Sequence, residues 1–292
     1  MKKHYLLFGL FLPGLLLGQV DKPFFFVQMS DPQFGMYRIG KNFKHERENA
    51  RKAIAAVNKL HPDFVVVTGD LVNKEGNKKQ IAAFKETFAM LDTTIPLYLV
   101  PGNHDVGNRP TKSLLQHYRK EFGPDYYSFD RHGVKFIVLN SSLIKDPSRV
   151  KDDALHQKKW LQQTLSEAST RNPKLKTPNS PTILFQHHPW FLKRAGEVNG
   201  YFNMPKKIRA EYLKLFKELG VKNVFAGHLH ANAYGQDKSL EMVTTGPVGL
   251  PLGIDPSGIR IVTVRPGSIT HQYYALDKIP EHIALDEEGT RR

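Results

Sequence analysis

Five short polar clusters hold the side chains that chemistry needs, and each follows an apolar run within a few residues. Asp31-Pro32-Gln33 follows the run at 24–29, and Gly69-Asp70-Leu71-Val72-Asn73 follows 64–68. Gly102-Asn103-His104-Asp105 comes after 97–100, Gln186-His187-His188-Pro189 after 182–185, and Gly227-His228-Leu229-His230 after 224–226. Carboxylates, amides and imidazoles without a thiolate suit hard to borderline divalent cations such as Mn, Mg, Fe or Zn. Two such ions about 3.5–4 Å apart can grip both oxygens of an in-line phosphoryl displacement. Gly-Asp, His-His and Gly-His-x-His are each commonplace alone. Their order and shared placement make them one constellation.

The elements that must position these clusters are legible from periodicity. The apolar runs, with a further one at 134–139, read as strands. Between them lie helix-like stretches near 44–60, 78–91, 111–122, 154–168 and 205–219. Ala50, Ile54 and Val57 recur at helical spacing in one, and Tyr212, Leu215, Phe216 and Leu219 in another, with Gly220 as its stop. Strands alternating with helices predict an α/β fold, a layered αββα sandwich. Ligands of such sheets bind beyond the carboxyl ends of the strands, so all five clusters converge on one edge. The glycines before Asp70, Asn103 and His228 permit sharp turns there. Further strands at 241–244, 259–264 and 269–274 predict a C-terminal antiparallel meander, and 171–181 reads as a surface loop. One domain is expected over 22–278, with a tail at 279–292.

Composition narrows the classes. The 292 residues, 40% of them hydrophobic, suffice for one large core. The absence of cysteine excludes disulfides, thiolate metal sites, cysteine nucleophiles and lipidation at a signal-peptide cysteine. Lys2, Lys3 and the apolar run at 5–17, ending at Gly18, read as a signal peptide over 1–18, with an uncleaved anchor as the alternative. Export to a periplasm or the medium is therefore expected, and no later run is long and apolar enough to span a bilayer. The net charge of +14 favours anionic partners. Its lysines and arginines, such as Lys206, Lys207, Arg209, Lys214 and Lys217, spread along helix-like segments as solvated faces. No basic stripe interleaved with aromatics marks a nucleic-acid surface.

Taken in order, the clusters resemble the calcineurin-like metallophosphoesterase family, whose pattern D-x-H, GD, GNH-D/E, H and GH-x-H is matched from Asp31 to His230. The resemblance is closer to its Ser/Thr protein phosphatase type. It is carried by Asp31-Pro32-Gln33-Phe34-Gly35, Gln186-His187, Asp255-Pro256-Ser257-Gly258 and His271-Gln272-Tyr273-Tyr274. The resemblance implies two divalent metals and hydrolysis of a phosphate ester by a metal-bound hydroxide. Asp31, Gln33, Asp70 and His230 would hold one metal, and Asp70, Asn103, His187 and His228 the other, with Asp70 bridging. His104 would stabilise charge or protonate the leaving oxygen, and Asp105 would orient it. A phosphorylated substrate follows, a monoester on phosphoprotein being the leading reading. A phosphodiesterase for cyclic nucleotides or nucleic acid and an inactive metal-binding relative are the alternatives.

Two positions depart from common family patterns. Gln33 stands where most members have His, so it either coordinates through its amide oxygen or hydrogen-bonds a metal-bound water. Asn73 stands where purple acid phosphatases have tyrosine, so an iron–tyrosinate site is not expected. Arg38, Arg109 and His188 are candidate substrate contacts, His188 with a structural role as its alternative. Trp190, with Phe191, Tyr201 and Phe202, either walls the substrate or packs its own loop.

Overall fold

A computed structural model describes residues 20, 22–37, 42–170 and 181–285. The signal-like segment 1–18, Arg38, nearly all of the 171–181 loop and the end of the tail lie outside the described residues.

Along the chain the elements are β1 (Phe24–Met29), α1 (Lys44–Leu60), β2 (Val65–Thr68), α2 (Lys78–Phe88), β3 (Leu97–Val100), α3 (Asn103–Val106) and α4 (Lys112–Phe122). There follow β4 (Tyr127–Arg131), β5 (Val134–Val138), α5 (Ser141–Lys145), α6 (Lys151–Thr170), β6 (Thr182–Phe185), α7 (Lys206–Glu218) and β7 (Val221–Ala226). The last four strands are β8 (Ala233–Asp237), β9 (Leu240–Thr244), β10 (Gly258–Arg265) and β11 (Ser268–Ala275). They form two sheets, of order β11-β10-β1-β2-β3 and β4-β5-β6-β7-β9-β8. Strands β1, β2 and β3 run parallel, as do β5, β6, β7 and β9. Continuous apolar runs suit these positions because helices cover one face and the other sheet covers the opposite face.

The pleat sorts each run between layers. Phe24 and Phe26 of β1 face the other sheet, whereas Phe25, Val27 and Met29 face α1 and α2. Ile183, Phe185 and Phe225 likewise enter the inter-sheet core, and Leu184, Val224 and Ala226 meet Leu161, Leu165 and Phe216 of α6 and α7. This period of two produces the αββα layering. Phe26 is the hub of the middle layer. Its ring stacks on Phe64 at 4.7 Å and meets Phe136, Phe185 and Phe225 edge-on at 5.5–6.0 Å.

The C-terminal strands are antiparallel hairpins, and the two sheets share them. The β8–β9 hairpin extends the second sheet, with β9 parallel to β7, while β10 pairs antiparallel with β1 and β11 closes that sheet's edge. Strands β4 and β8 escape sequence reading because they are polar edge strands. Ile279, Ile283 and Leu285 of the expected tail pack onto the α1–α2 side of the core. Arg209 is not solvated. It is buried, and its guanidinium donates to the Met204, Ala195 and Glu197 carbonyls, tying down the loop before α7. No helix among the described residues is long and apolar enough to cross a membrane.

Truncating the hub should be costly. Phe26→Ala is expected to lower unfolding free energy by about 3–5 kcal/mol in urea titration. A loss below about 1 kcal/mol would show that the inter-sheet layer does not rest on this ring.

Candidate metal centre

The loops after β1, β2, β3, β6 and β7 meet at one end of the sandwich. Asp70, His187 and His228 each offer an atom within 4.8 Å of the others, and so do Asp31, Asp70 and His230. Asp70 belongs to both groups. All five side chains are buried.

The imidazoles are oriented by backbone carbonyls. His187 Nδ1 lies 2.9 Å from the Thr68 carbonyl, and His230 Nδ1 lies 2.6 Å from that of Leu250. A carbonyl only accepts, so each Nδ1 carries a proton and donates it. The lone pair on each Nε2 is then available for a cation. His187 Nε2 faces Asp70 Oδ2 at 3.2 Å and Asn103 Oδ1 at 3.1 Å, and His230 Nε2 faces Asp31 Oδ1 at 3.4 Å. His228 is held the other way round, with Nε2 donating to the Tyr201 carbonyl at 3.2 Å. Acceptors that converge in this way need a shared positive charge, and a divalent cation bound by N and O ligands provides one. Gln33 fits the same pattern. Its amide nitrogen donates to Asn73 Oδ1 at 3.2 Å, and its Oε1 is buried without a partner among the described residues.

Electrostatics within the protein agree. Burial raises the Asp31 pKa, with His230 and His187 opposing. Burial would also raise Asp70, yet the neighbouring His187 holds it well below the usual carboxylate range. Burial alone would lower His187, but Asp70 and then Asp31 lift its pKa to about 9. A positive charge is therefore favoured at His187, between the two carboxylates, whereas burial and then the His187 charge push the His228 pKa far down.

Backbone geometry delivers the ligands. Asp31, Gln33, Asp70, His228 and His230 all have positive φ, between 37° and 72°. L-residues avoid this region, and its concentration here is strain held by the surrounding fold. Two glycines allow the loops to touch. A Cβ on Gly102 would sit 2.1 Å from Asp70 Oδ1, and one on Gly227 would sit 1.9 Å from Ser30 Oγ.

Several expected roles need correction. Asp105 does not orient His104. Its carboxylate accepts the Leu71, Val72 and Gly102 amides at 2.8–3.2 Å, so it clamps the loop that carries Asp70. The His104 ring is set instead by Nδ1 donating to the Asn73 carbonyl at 2.7 Å, while its amide donates to Asp70 Oδ1 at 2.8 Å. Trp190 and Phe191 are fully buried. Trp190 stacks on Tyr212 at 4.9 Å in the α7 core, so it cannot wall a substrate. Tyr201 and Phe202 from the same loop do reach the site, with rings 4.9 and 5.5 Å from that of His228. His188 is buried and packs 4.3 Å from the His228 ring, its Nδ1 2.9 Å from Ser141 Oγ. It packs against His228, and its Nε2 is buried without a hydrogen-bond partner among the described residues. Arg109 is exposed and paired with Asp146 at 3.0 Å, which ties its charge to α5. Sequence reasoning missed α5 itself, which follows a sixth strand but carries Ser, Leu, Ile and Lys in place of ligand types.

A two-sheet α/β sandwich with carboxylates and imidazoles converging at its strand ends defines a metal-dependent hydrolase of phosphate esters. The calcineurin-like phosphoesterase family model matches residues 26–232, and the chain belongs to that family. It is 39% identical to the serine/threonine-protein phosphatase CPPED1 of Bos taurus, over 91% of this chain and 88% of that protein. The Homo sapiens protein of that name is 38% identical over the same shares. Among solved structures, a dimetal phosphatase from Danio rerio shares the fold at TM-score 0.58 and 16% identity, covering 86% of this chain and 99% of that one. A purple acid phosphatase from yellow lupin does so at TM-score 0.64 and 16% identity, covering 88% and 52%.

The clamp gives a test. Asp105→Asn should leave the fold intact by circular dichroism but weaken Mn binding by about 10–100-fold in calorimetric titration. Unchanged affinity would mean that Asp105 does not position Asp70.

Proposed function

We propose that this chain is a phosphomonoesterase working with two divalent cations, and that its substrates are phosphoproteins modified on Ser or Thr. The observation that carries the proposal is the membership of Asp70 in both ligand groups. The relatives named serine/threonine-protein phosphatase support the choice of substrate. Asp31, Gln33, Asp70 and His230 would hold one ion, and Asp70, Asn103, His187 and His228 the other. The pair would supply Lewis-acid charge and an activated water.

The rest is done by the chain. The Asn73 carbonyl accepts the Nδ1 proton of His104, which leaves Nε2 as the free ring atom, and the ring in its imidazolium form would give its Nε2 proton to the leaving oxygen. The bond from the His104 amide to Asp70 fixes that imidazole relative to the bridge. At the first site Gln33 brings a neutral oxygen where an imidazole would bring nitrogen, so this site is the harder one and takes Mn or Mg. We include export in the proposal, on Lys2, Lys3 and the apolar run at 5–17.

His104→Ala is expected to keep its metals and to lose about 10²–10⁴ in kcat on a phosphoserine peptide. The loss should shrink on para-nitrophenyl phosphate, whose leaving group needs little protonation. An equal loss on both substrates would remove the acid role, and faster turnover of the bis-ester than of the monoester would favour a diesterase. Gln33→His should tighten the first site and shift it toward Zn or Fe in metal titration. Identical stoichiometry, affinity and preference in both proteins would remove Gln33 from the ligand set.

A further inference from the structure

One cation stands beside the centre without a carboxylate partner. Lys145 ends α5, and its ammonium donates to the backbone carbonyl of Tyr201 and lies 5.3 Å above that residue's ring. Among the described residues it forms no ion pair. The adjacent Asp146 is engaged by Arg109 and by the Ser148 amide. A lysine whose only acceptor is one carbonyl still has two N–H donors to give.

The position is a built one. The Tyr201 carbonyl that receives Lys145 also receives His228 Nε2 at 3.2 Å, so one oxygen joins the lysine to a candidate metal ligand. The Tyr201 ring lies 4.9 Å from that of His228. Lys145 is close enough that its charge, after the effects of burial and the other histidines, helps to depress both His188 and His228. At the other end of α5, Ser141 grips His188. This short helix therefore braces the His228 side of the centre and delivers an ammonium to its rim. Buried Arg209 ties together the Ala195, Glu197 and Met204 carbonyls of the loop that bears Tyr201.

We propose that Lys145 is a specificity-determining residue that binds a non-bridging oxygen of the substrate phosphoryl group, with Tyr201 as the adjoining wall, and so selects dianionic monoesters over monoanionic diesters. It rests on the phosphoesterase reading above. A monoester presents one more negative charge than a diester, and a half-buried ammonium at the rim recognises that charge by a charge-assisted hydrogen bond. Burial lowers the Lys145 pKa to about 8, so most of it remains protonated at neutral pH.

The test uses full-length, Mn-loaded protein. Lys145→Met should raise the inhibition constant of inorganic phosphate and the KM for para-nitrophenyl phosphate by about tenfold, the scale of one such bond. The KM for bis-para-nitrophenyl phosphate should rise by clearly less, and the metal content should stay as in the wild type. Lys145→Arg should recover most of the phosphate affinity and report on folding. Equal losses on monoester and diester, metal loss, or failure of arginine to restore phosphate binding would overturn the proposal. Calorimetric titration of phosphate into wild type and Lys145→Met separates the two readings. If the wild type hydrolyses neither ester, the phosphoesterase reading falls, whereas equal phosphate affinity in both proteins removes Lys145 alone.

Discussion

Two buried carboxylates, Asp31 and Asp70, lie among imidazoles whose outer nitrogens are already committed to backbone carbonyls. Burying such charge uncompensated is costly, and the rest of the site follows from that cost. Each carboxylate has donors on its flank. Ser30 and the His228 amide bond Asp31, and the His104 amide bonds Asp70. These donors offset part of the charge and aim what remains at the imidazole lone pairs. A divalent cation held among these groups would complete the neutralisation.

Delivering acceptors to one point requires backbone that L-residues avoid. Five ligand candidates at positive φ, and the close approach of Gly102 to Asp70, are tolerated because the strands behind them are locked. The inter-sheet phenylalanines around Phe26 fix the spacing between the β1–β2–β3 loops and the β6–β7 loops. Asp105 then ties the β2 loop to the β3 loop through three backbone amides. Rigidity in the core and strain at the edge are two parts of one arrangement.

Much of this was legible in the sequence, for physical reasons. Runs such as Val65–Thr68 are buried on both faces, so their composition announces them, and loops at their carboxyl ends must share an edge. Edge strands such as β4 and β8 are only half-buried and mix polar with aromatic residues, so they resemble loops. Trp190 and Tyr201 sit in one loop, and no periodicity separates the ring that packs on α7 from the ring that leans on His228. Asp105 follows His104 directly, but two of its partners, the Leu71 and Val72 amides, are distant in sequence, and backbone partners leave no trace in residue type. Lys145 and Ser141 were hidden for a related reason: α5 acts through its placement, not through ligand chemistry.

The central claim is that Asp70 joins two cations in one centre. Anomalous diffraction from crystals grown with Mn tests it most directly. Two peaks about 3.5–4 Å apart are expected, with one Asp70 carboxylate touching both, Asp31 and His230 on one, and His187 and His228 on the other. A single peak, or two with Asp70 bound to only one of them, would contradict the account.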